Sequence, residues 1–370
     1  MRIGICNLHN MCENNTLFLT RARQYFRVNG HNVSDTTEEA ELVFVGGCAV
    51  TDQMRSRCEE TVLRSIQERR DAHFVVFGCL AAFPDGFLKA AGRDAHRLHL
   101  IPYHASRELD ELIHARVPFH SVSVTHLHGH VPYQPTMGPD DSYVLIGQGC
   151  VNNCSYCNIK KVKGHVRSRS QEEIESDVRN LYGAGVRTIT LLADDCGSYG
   201  LDFGSNLPNL LEQLSGIAPD LHYKLYTVFP SLFLQYFEQL DRFFSQRRVP
   251  YVCLPAQSAA PRVLNLMNRN YDPDRLAEAI DQLRSLDPDV FVYSHFIFNF
   301  PSETWEEFEH SIAFARHFDS CVFIGYGENR STPAAALVPK CGDGTLQAKT
   351  RRLNELAENG ELAAFVVPRP

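Results

Sequence analysis

At 370 residues the chain is long enough for roughly two or three domains with sizeable cores. Its 44% hydrophobic and 22% charged residues exclude a disordered or fibrous chain, and no run approaches the ~20 apolar residues of a membrane span. A net charge of −8 argues mildly against a surface built to grip a long nucleic acid.

The first residues, Met1-Arg2-Ile3-Gly4-Ile5, enter a strand without the layout of a signal peptide. A cytoplasmic, reducing setting is therefore expected, in which twelve cysteines suggest metal rather than disulfides. Residues 3–6 read as a strand and 16–28 as a helix with Leu17, Leu19, Ala22, Tyr25 and Phe26 inward, closed by Gly30. Residues 42–48 read as a second strand, 52–69 as a helix and 73–79 as a third strand. This alternation implies a parallel sheet, whose ligands gather beyond the carboxyl ends of its strands. Cys48 and Cys79 each follow a strand end, and Cys12 lies in the loop after the first strand. Three thiols at one sheet edge can hold an iron–sulfur cluster with one open iron, or can simply be core cysteines, as Cys6 and Cys58 are expected to be.

Residues 126–142 form a linker rich in His, Pro and Gly, and 143–147 an apolar strand ending in glycine. Then comes Gly149-Cys150-Val151-Asn152-Asn153-Cys154-Ser155-Tyr156-Cys157, with three residues between the first two cysteines and two between the last two. Three thiols on one loop suit a four-iron four-sulfur cube whose fourth iron stays open to chelate a ligand. They fit disulfides poorly because three cannot all pair, and zinc would want a fourth ligand, for which His165 is the local candidate.

Beyond the loop the βα alternation resumes. A helix over 171–183 carries Ile174, Val178 and Leu181 on one face, and strands follow at 187–192, 223–228, 252–255, 290–298 and 321–326. Helices are expected at 261–267, 305–318 and 347–358. With the strand before the loop this gives six strands, a partial (β/α)6 barrel with its chemistry at the carboxyl ends. Asp195 sits at one such end, where Asp194-Asp195 reads as a helix-capping pair.

Cys150, Cys154 and Cys157, with Tyr156 in the aromatic slot, resemble the signature of radical S-adenosylmethionine (SAM) enzymes. Gly164 to Ser168-Arg169, Thr190 to Gly200, Leu254-Pro255-Ala256-Gln257-Ser258 to Met267, Phe300 to Thr304 and Thr332-Pro333-Ala334-Ala335 resemble the methylthiotransferase branch in order and spacing. In the first domain Cys12-Glu13-Asn14-Asn15, Gly47-Cys48 and Gly78-Cys79 line up with that family's auxiliary-cluster cysteines, Cys12 being preferred to Cys6 by its distance to Gly30.

The resemblance implies an α/β protein. Residues 1–125 would form a parallel-sheet methylthiotransferase-like domain with an auxiliary 4Fe–4S cluster, and 126–142 the linker. A radical SAM partial barrel would span 143–340, with a C-terminal helix and tail at 341–370. It implies that the cluster on Cys150, Cys154 and Cys157 cleaves SAM to a 5′-deoxyadenosyl radical. The cluster on Cys12, Cys48 and Cys79 would supply sulfur for a carbon–sulfur bond. Ser168 and Arg169 would contact SAM, Gln257 and Ser258 its ribose, and Ile297 and Glu303 its adenine, while Asp195, facing the site, would bind substrate rather than merely cap a helix. The electron donor would be of flavodoxin or ferredoxin type.

Some positions depart from the family pattern. The Gly-rich turn is Asn299 and Ser302, an acid is replaced by His295, and only about thirty residues follow Pro339, too few for the family's C-terminal TRAM barrel. The expected substrate is accordingly a small molecule or peptide, such as a natural-product precursor, which is methylthiolated or has sulfur inserted. The alternatives are a compact tRNA methylthiotransferase, whose RNA binding would weaken steeply with salt, and a non-catalytic iron–sulfur carrier.

Overall fold

The structure is a computed structural model and describes residues 1–9, 12–128 and 141–369. Most of the expected linker therefore lies outside the described residues. The chain divides into two compact units, Met1–Asp141 with Lys161–Gly164, and Ser142–Lys160 with His165–Pro370.

The first unit is built on five parallel strands: β1 (Arg2–Asn7), β2 (Asn32–Ser34), β3 (Leu42–Gly46), β4 (His73–Phe77) and β5 (Leu98–Ile101), in the order β2-β1-β3-β4-β5. Every residue of β3 is buried, as are Phe74 to Phe77 of β4. Such unbroken apolar runs belong in a parallel sheet with helices on both faces. The helix Glu13–Val28 buries Leu17, Leu19, Ala22, Tyr25 and Phe26, and Gly30 ends it at φ +83°. Thr51 caps the helix Asp52–Glu68 through the Met54 N–H at 3.1 Å.

The strand order reverses between β1 and β3, the switch point where open α/β sheets bind ligands at their carboxyl edge. Two glycines let the chain turn tightly there. A Cβ on Gly46 would lie 2.7 Å from Asn15 Oδ1; one on Gly78, at φ +90°, would lie 2.6 Å from the Tyr103 ring.

The second unit contains β6 (Ser142–Leu145), a short antiparallel pair of β7 (Gly147–Gln148) and β8 (Arg167–Ser168), then β9 (Thr188–Leu192), β10 (His222–Tyr226), β11 (Tyr251–Cys253), β12 (Phe291–Phe298), β13 (Ser320–Gly325) and β14 (Ala364–Val367). Its main sheet has seven parallel strands in the order β14-β13-β12-β11-β10-β9-β6. Six are the strands expected from sequence. The seventh, β14, follows the helix Asp343–Glu358 and pairs with β13 from Cys321↔Ala364 to Ile324↔Val367. Gly325 permits this close approach, since a Cβ there would meet Pro368 O at 2.0 Å.

Ile189, Leu191, Tyr223, Leu225, Val252, Val292, Phe296 and Phe323 join one core with the flanking helices, including Phe296 stacked on Phe323 at 4.9 Å. By the two-residue period of a strand, the intervening side chains Tyr226, Cys253, Tyr293 and His295 face the other way, into the partial barrel. Among the described residues no helix is long and apolar enough to cross a membrane.

Candidate active site

The cysteine loop leaves the carboxyl side of β6. The β7–β8 pair brackets its approach, and Gly149, at φ +76°, turns the chain and donates its N–H to Asp194 Oδ2 at 2.8 Å. Each of the three sulfurs then accepts nitrogen donors. Asn152 directs its backbone N–H (3.4 Å) and its side-chain amide (3.2 Å) at Cys150 Sγ. Arg269 Nη1 approaches Cys154 Sγ at 3.6 Å, and Ile159 N–H approaches Cys157 Sγ at 3.4 Å.

Burial, followed by the nearby Asp195 carboxylate, pushes the Cys150 thiol up to about 11. Burial and the neighbouring Cys154 push Cys157 up to about 12. Thiols in such surroundings ionise only with a cation at hand, and N–H donors aimed at sulfur are the usual company of iron-bound thiolates. The donor set therefore fits a 4Fe–4S cube, in which each thiolate takes a different iron. Among the described residues no three His, Cys, Asp or Glu side chains group around the position of a single ion.

Asp195 is 4% exposed, and both of its oxygens are engaged. Oδ1 accepts the N–H groups of Gly197 and Phe229, each at 3.0 Å. Oδ2 accepts Ser198 Oγ at 2.6 Å and the Asn152 amide at 3.2 Å, and lies 3.9 Å from Cys150 Sγ. Burial pushes its pKa up. In this position it caps the turn Cys196–Ser198 and fixes Asn152 against Cys150, which is the capping alternative rather than an open substrate carboxylate.

Several residues expected to touch SAM are committed to the protein. Ser168 bonds Asp202 through its N–H (2.9 Å) and hydroxyl (2.7 Å), and accepts the Gly200 N–H at 2.9 Å. Arg169 Nη1 reaches Leu145 O and Asp177 Oδ2, both at 2.8 Å. Ser258 is fully buried, with its hydroxyl 3.2 Å from Ser311 Oγ. Glu303 Oε2 accepts the buried Lys349 ammonium at 2.6 Å and the Asn299 N–H at 2.7 Å.

Three buried acceptors at the carboxyl ends of β11 and β12 nevertheless have no partner: Gln257 Oε1, Asn299 Oδ1 and Glu303 Oε1. Unpaired buried acceptors are costly, and the amino and hydroxyl groups of a nucleoside are donors of the kind they lack. Gln257 is held at φ +72°, with its N–H on His295 O (2.7 Å) and its C=O on Ile297 N–H (2.9 Å). Ile297 and Tyr156 pack on a small core of Ala260, Val263, Met267, Phe300 and Ala334. This part of the site therefore fits the adenosyl portion of SAM.

In the first unit, Cys12 caps the helix Glu13–Val28, its sulfur accepting the Asn15 N–H at 3.5 Å. Cys48 follows β3, and Cys79 follows β4 with its thiol 3.9 Å from Tyr103 OH. The three thiols sense one another electrostatically: Cys79 acts on Cys12, and both act on Cys48. Burial, then Glu13, pushes Cys12 up to about 12, against the Lys163 ammonium and the Asn15 N–H. A helix N-terminus and a cation both favour thiolate, so this trio also suits a cluster. Cys6 packs instead on the core beside Cys58, its one thiol neighbour among the influences on it.

Residues 144–315 match the Radical SAM superfamily, and residues 9–95 match a family described as Uncharacterized protein family UPF0004. The ribosomal protein uS12 methylthiotransferase RimO of Alkaliphilus oremlandii is 27% identical over 368 residues, covering 97% of this chain and 82% of the relative. That of Syntrophotalea carbinolica is 29% identical over 351 residues, covering 89% and 74%. In fold the chain is similar to the radical SAM methyltransferase TsrM of Kitasatospora setae, with a TM-score of 0.60 at 14% identity over 90% of this chain and 77% of that one. The two matched regions follow one another in the order of the two cysteine trios, and together with these relatives they support a divergent member of the radical SAM methylthiotransferase family, an enzyme of that type whose cofactors are SAM and two 4Fe–4S clusters.

Proposed function

We propose that this enzyme forms a carbon–sulfur bond on a peptide or protein side chain, with one cluster on Cys150, Cys154 and Cys157 and the other on Cys12, Cys48 and Cys79. The observation that carries the first assignment is that all three loop sulfurs accept N–H donors. When bound, the cofactors supply hydrogen abstraction through the 5′-deoxyadenosyl group of SAM and a sulfur atom for the carbon so opened.

The chain's own residues orient and shield. Gly149 and Asp194 fix the entry of the loop, and Asp195 holds Asn152 on Cys150. Tyr156, Ile297 and Phe300 form an apolar wall, while Gln257, Asn299 and Glu303 offer free acceptors to the adenosyl group. The cluster that Cys150, Cys154 and Cys157 would hold would take its electron from an external one-electron donor of flavodoxin or ferredoxin type, in a cytoplasmic setting.

The substrate class rests on the relatives: those named above act, by name, on a ribosomal protein. These names favour a protein or peptide side chain over the free small molecule of the sequence expectation, and they lend a natural-product precursor no support. The net charge of −8 and the names of these relatives lend a tRNA substrate no support. The test is anaerobic turnover of the reconstituted enzyme with SAM, reductant and a panel of peptides and small molecules. 5′-Deoxyadenosine together with S-adenosylhomocysteine and a methylthio product supports methylthiolation. Deoxyadenosine with an unmethylated carbon–sulfur product supports sulfur insertion. No SAM cleavage with both clusters loaded sinks the proposal.

A further inference from the structure

Arg269 is a buried cation against the cysteine loop, and so far only its N–H at Cys154 has entered the account, not its charge. It is 4% exposed. Its Nη1 lies 3.6 Å from Cys154 Sγ and 3.2 Å from Tyr156 OH, while Nη2 donates to Pro255 O. The guanidinium sits over the Phe229 ring, 4.0 Å from the centroid, and Nε is buried without a partner. Among the described residues no carboxylate ion-pairs with it. Stripping a guanidinium of water for a thiol, a phenol and a carbonyl is expensive, and the expense falls when anionic charge arrives beside it. A cluster bound through Cys154 brings that charge.

The segment that carries Arg269 is clasped to the same loop. Ser155 N–H donates to Met267 O at 2.9 Å, and Ser155 Oγ donates to Leu266 O at 2.6 Å. Asn268, at φ +54°, donates its amide to Asn153 O at 2.7 Å. Arg269 N–H closes the turn on Leu264 O at 2.9 Å. The guanidinium is therefore fixed in place and does not sample solvent as a surface arginine would. At the start of the loop the buried Asp195 side chain lies near Cys150, 3.9 Å from its sulfur.

We infer that Arg269 is a positioning residue that sets the reduction potential of the cluster on Cys150, Cys154 and Cys157, holding it less negative through its charge and its N–H donor at Cys154. Reduction adds an electron to the cluster, so a fixed neighbouring cation stabilises the reduced form more than the oxidised one. The effect brings the cluster within reach of the one-electron donor that the reaction requires. The inference rests on the ligand assignment under Proposed function.

The test uses the full chain carrying C12A, C48A and C79A, which leaves one cluster, titrated anaerobically while the reduced signal is read by electron paramagnetic resonance. Adding R269M is expected to move the midpoint to a more negative value with iron and sulfide content retained. R269K, which keeps charge but loses the planar fork, is expected to fall between the two. An unchanged midpoint in iron-replete R269M overturns the inference and leaves the ligand assignment standing. If R269M holds no cluster, the neutral polar variant R269Q decides: a more negative midpoint supports the role and an unchanged one overturns it. Failure of the parent triple variant to bind about four irons overturns the ligand assignment and the inference together.

Discussion

The buried pair Lys349–Glu303 gives a sharp test of how the carboxyl edge of the partial barrel is held. Lys349, on the helix Asp343–Glu358, and Glu303, after β12, have side chains 0% and 1% exposed and meet at 2.6 Å. K349M keeps most of the apolar stem but removes the charge. Glu303 Oε2 is then left with the Asn299 N–H alone, and Oε1 already lacks a partner. Removing one partner of a buried pair typically destabilises by about 3–5 kcal/mol, a drop of ~10²–10³-fold or more in the folding constant. Burial already raises the Glu303 pKa, against the pull of Lys349, and losing Lys349 raises it further. A carboxyl whose pKa is raised by folding binds its proton more tightly when folded. The penalty is therefore full above the folded pKa and relieved as pH falls through it. Urea unfolding of K349M near pH 8 and near pH 5 should show the deficit shrinking at the lower pH. The double variant E303Q/K349M should recover most of it. A deficit under about 1 kcal/mol, or one independent of pH, would refute the reasoning.

Gly78→Ala must strain a φ of +90° and place a methyl 2.6 Å from the Tyr103 ring, so it should lower thermal stability by at least a few degrees and weaken iron binding by the first unit; an unaltered melting curve and iron content would contradict this. Gln257→Ala removes one of the free acceptors and should raise the KM for SAM in deoxyadenosine formation by about tenfold while leaving iron content intact. A KM equal to the parent's would remove Gln257 from the cofactor pocket. Cys6→Ala should keep the full iron content and Cys12→Ala should lose that of one cluster; the reverse pattern would exchange their roles.

The cysteine trios could be proposed from sequence because their signals are local. Cys150, Cys154 and Cys157 share one loop, and the apolar runs ahead of Cys48 and Cys79 mark strand ends that a parallel sheet brings to one edge. β5 and β14 offer only Leu98-His99-Leu100-Ile101 and Ala364-Phe365-Val366-Val367, too short to separate from apolar turns without their partners. The helix Pro230–Ser245 goes unassigned from sequence although Leu232, Phe233, Tyr236, Leu240, Phe243 and Phe244 are all buried; its apolar period was a usable signal.

The cofactor contacts were harder to foresee because a side chain's commitments lie far along the chain. Ser168 is tied to Asp202, Arg169 to Asp177, Ser258 to Ser311 and Glu303 to Lys349. Arg269 and Lys349 carry the same difficulty in reverse. Charged residues read as solvated until the tertiary fold buries them.

Two clusters on one chain, each on its own cysteine trio, leave a countable signature. Its most direct measurement is the iron and sulfide content of anaerobically reconstituted protein, taken for the parent and for C12A/C48A/C79A and C150A/C154A/C157A in parallel. About eight irons in the parent and about four in each variant are expected, with SAM cleavage kept only by the chain that retains Cys150, Cys154 and Cys157. About four irons in the parent, or SAM cleavage that survives loss of that trio, would contradict it.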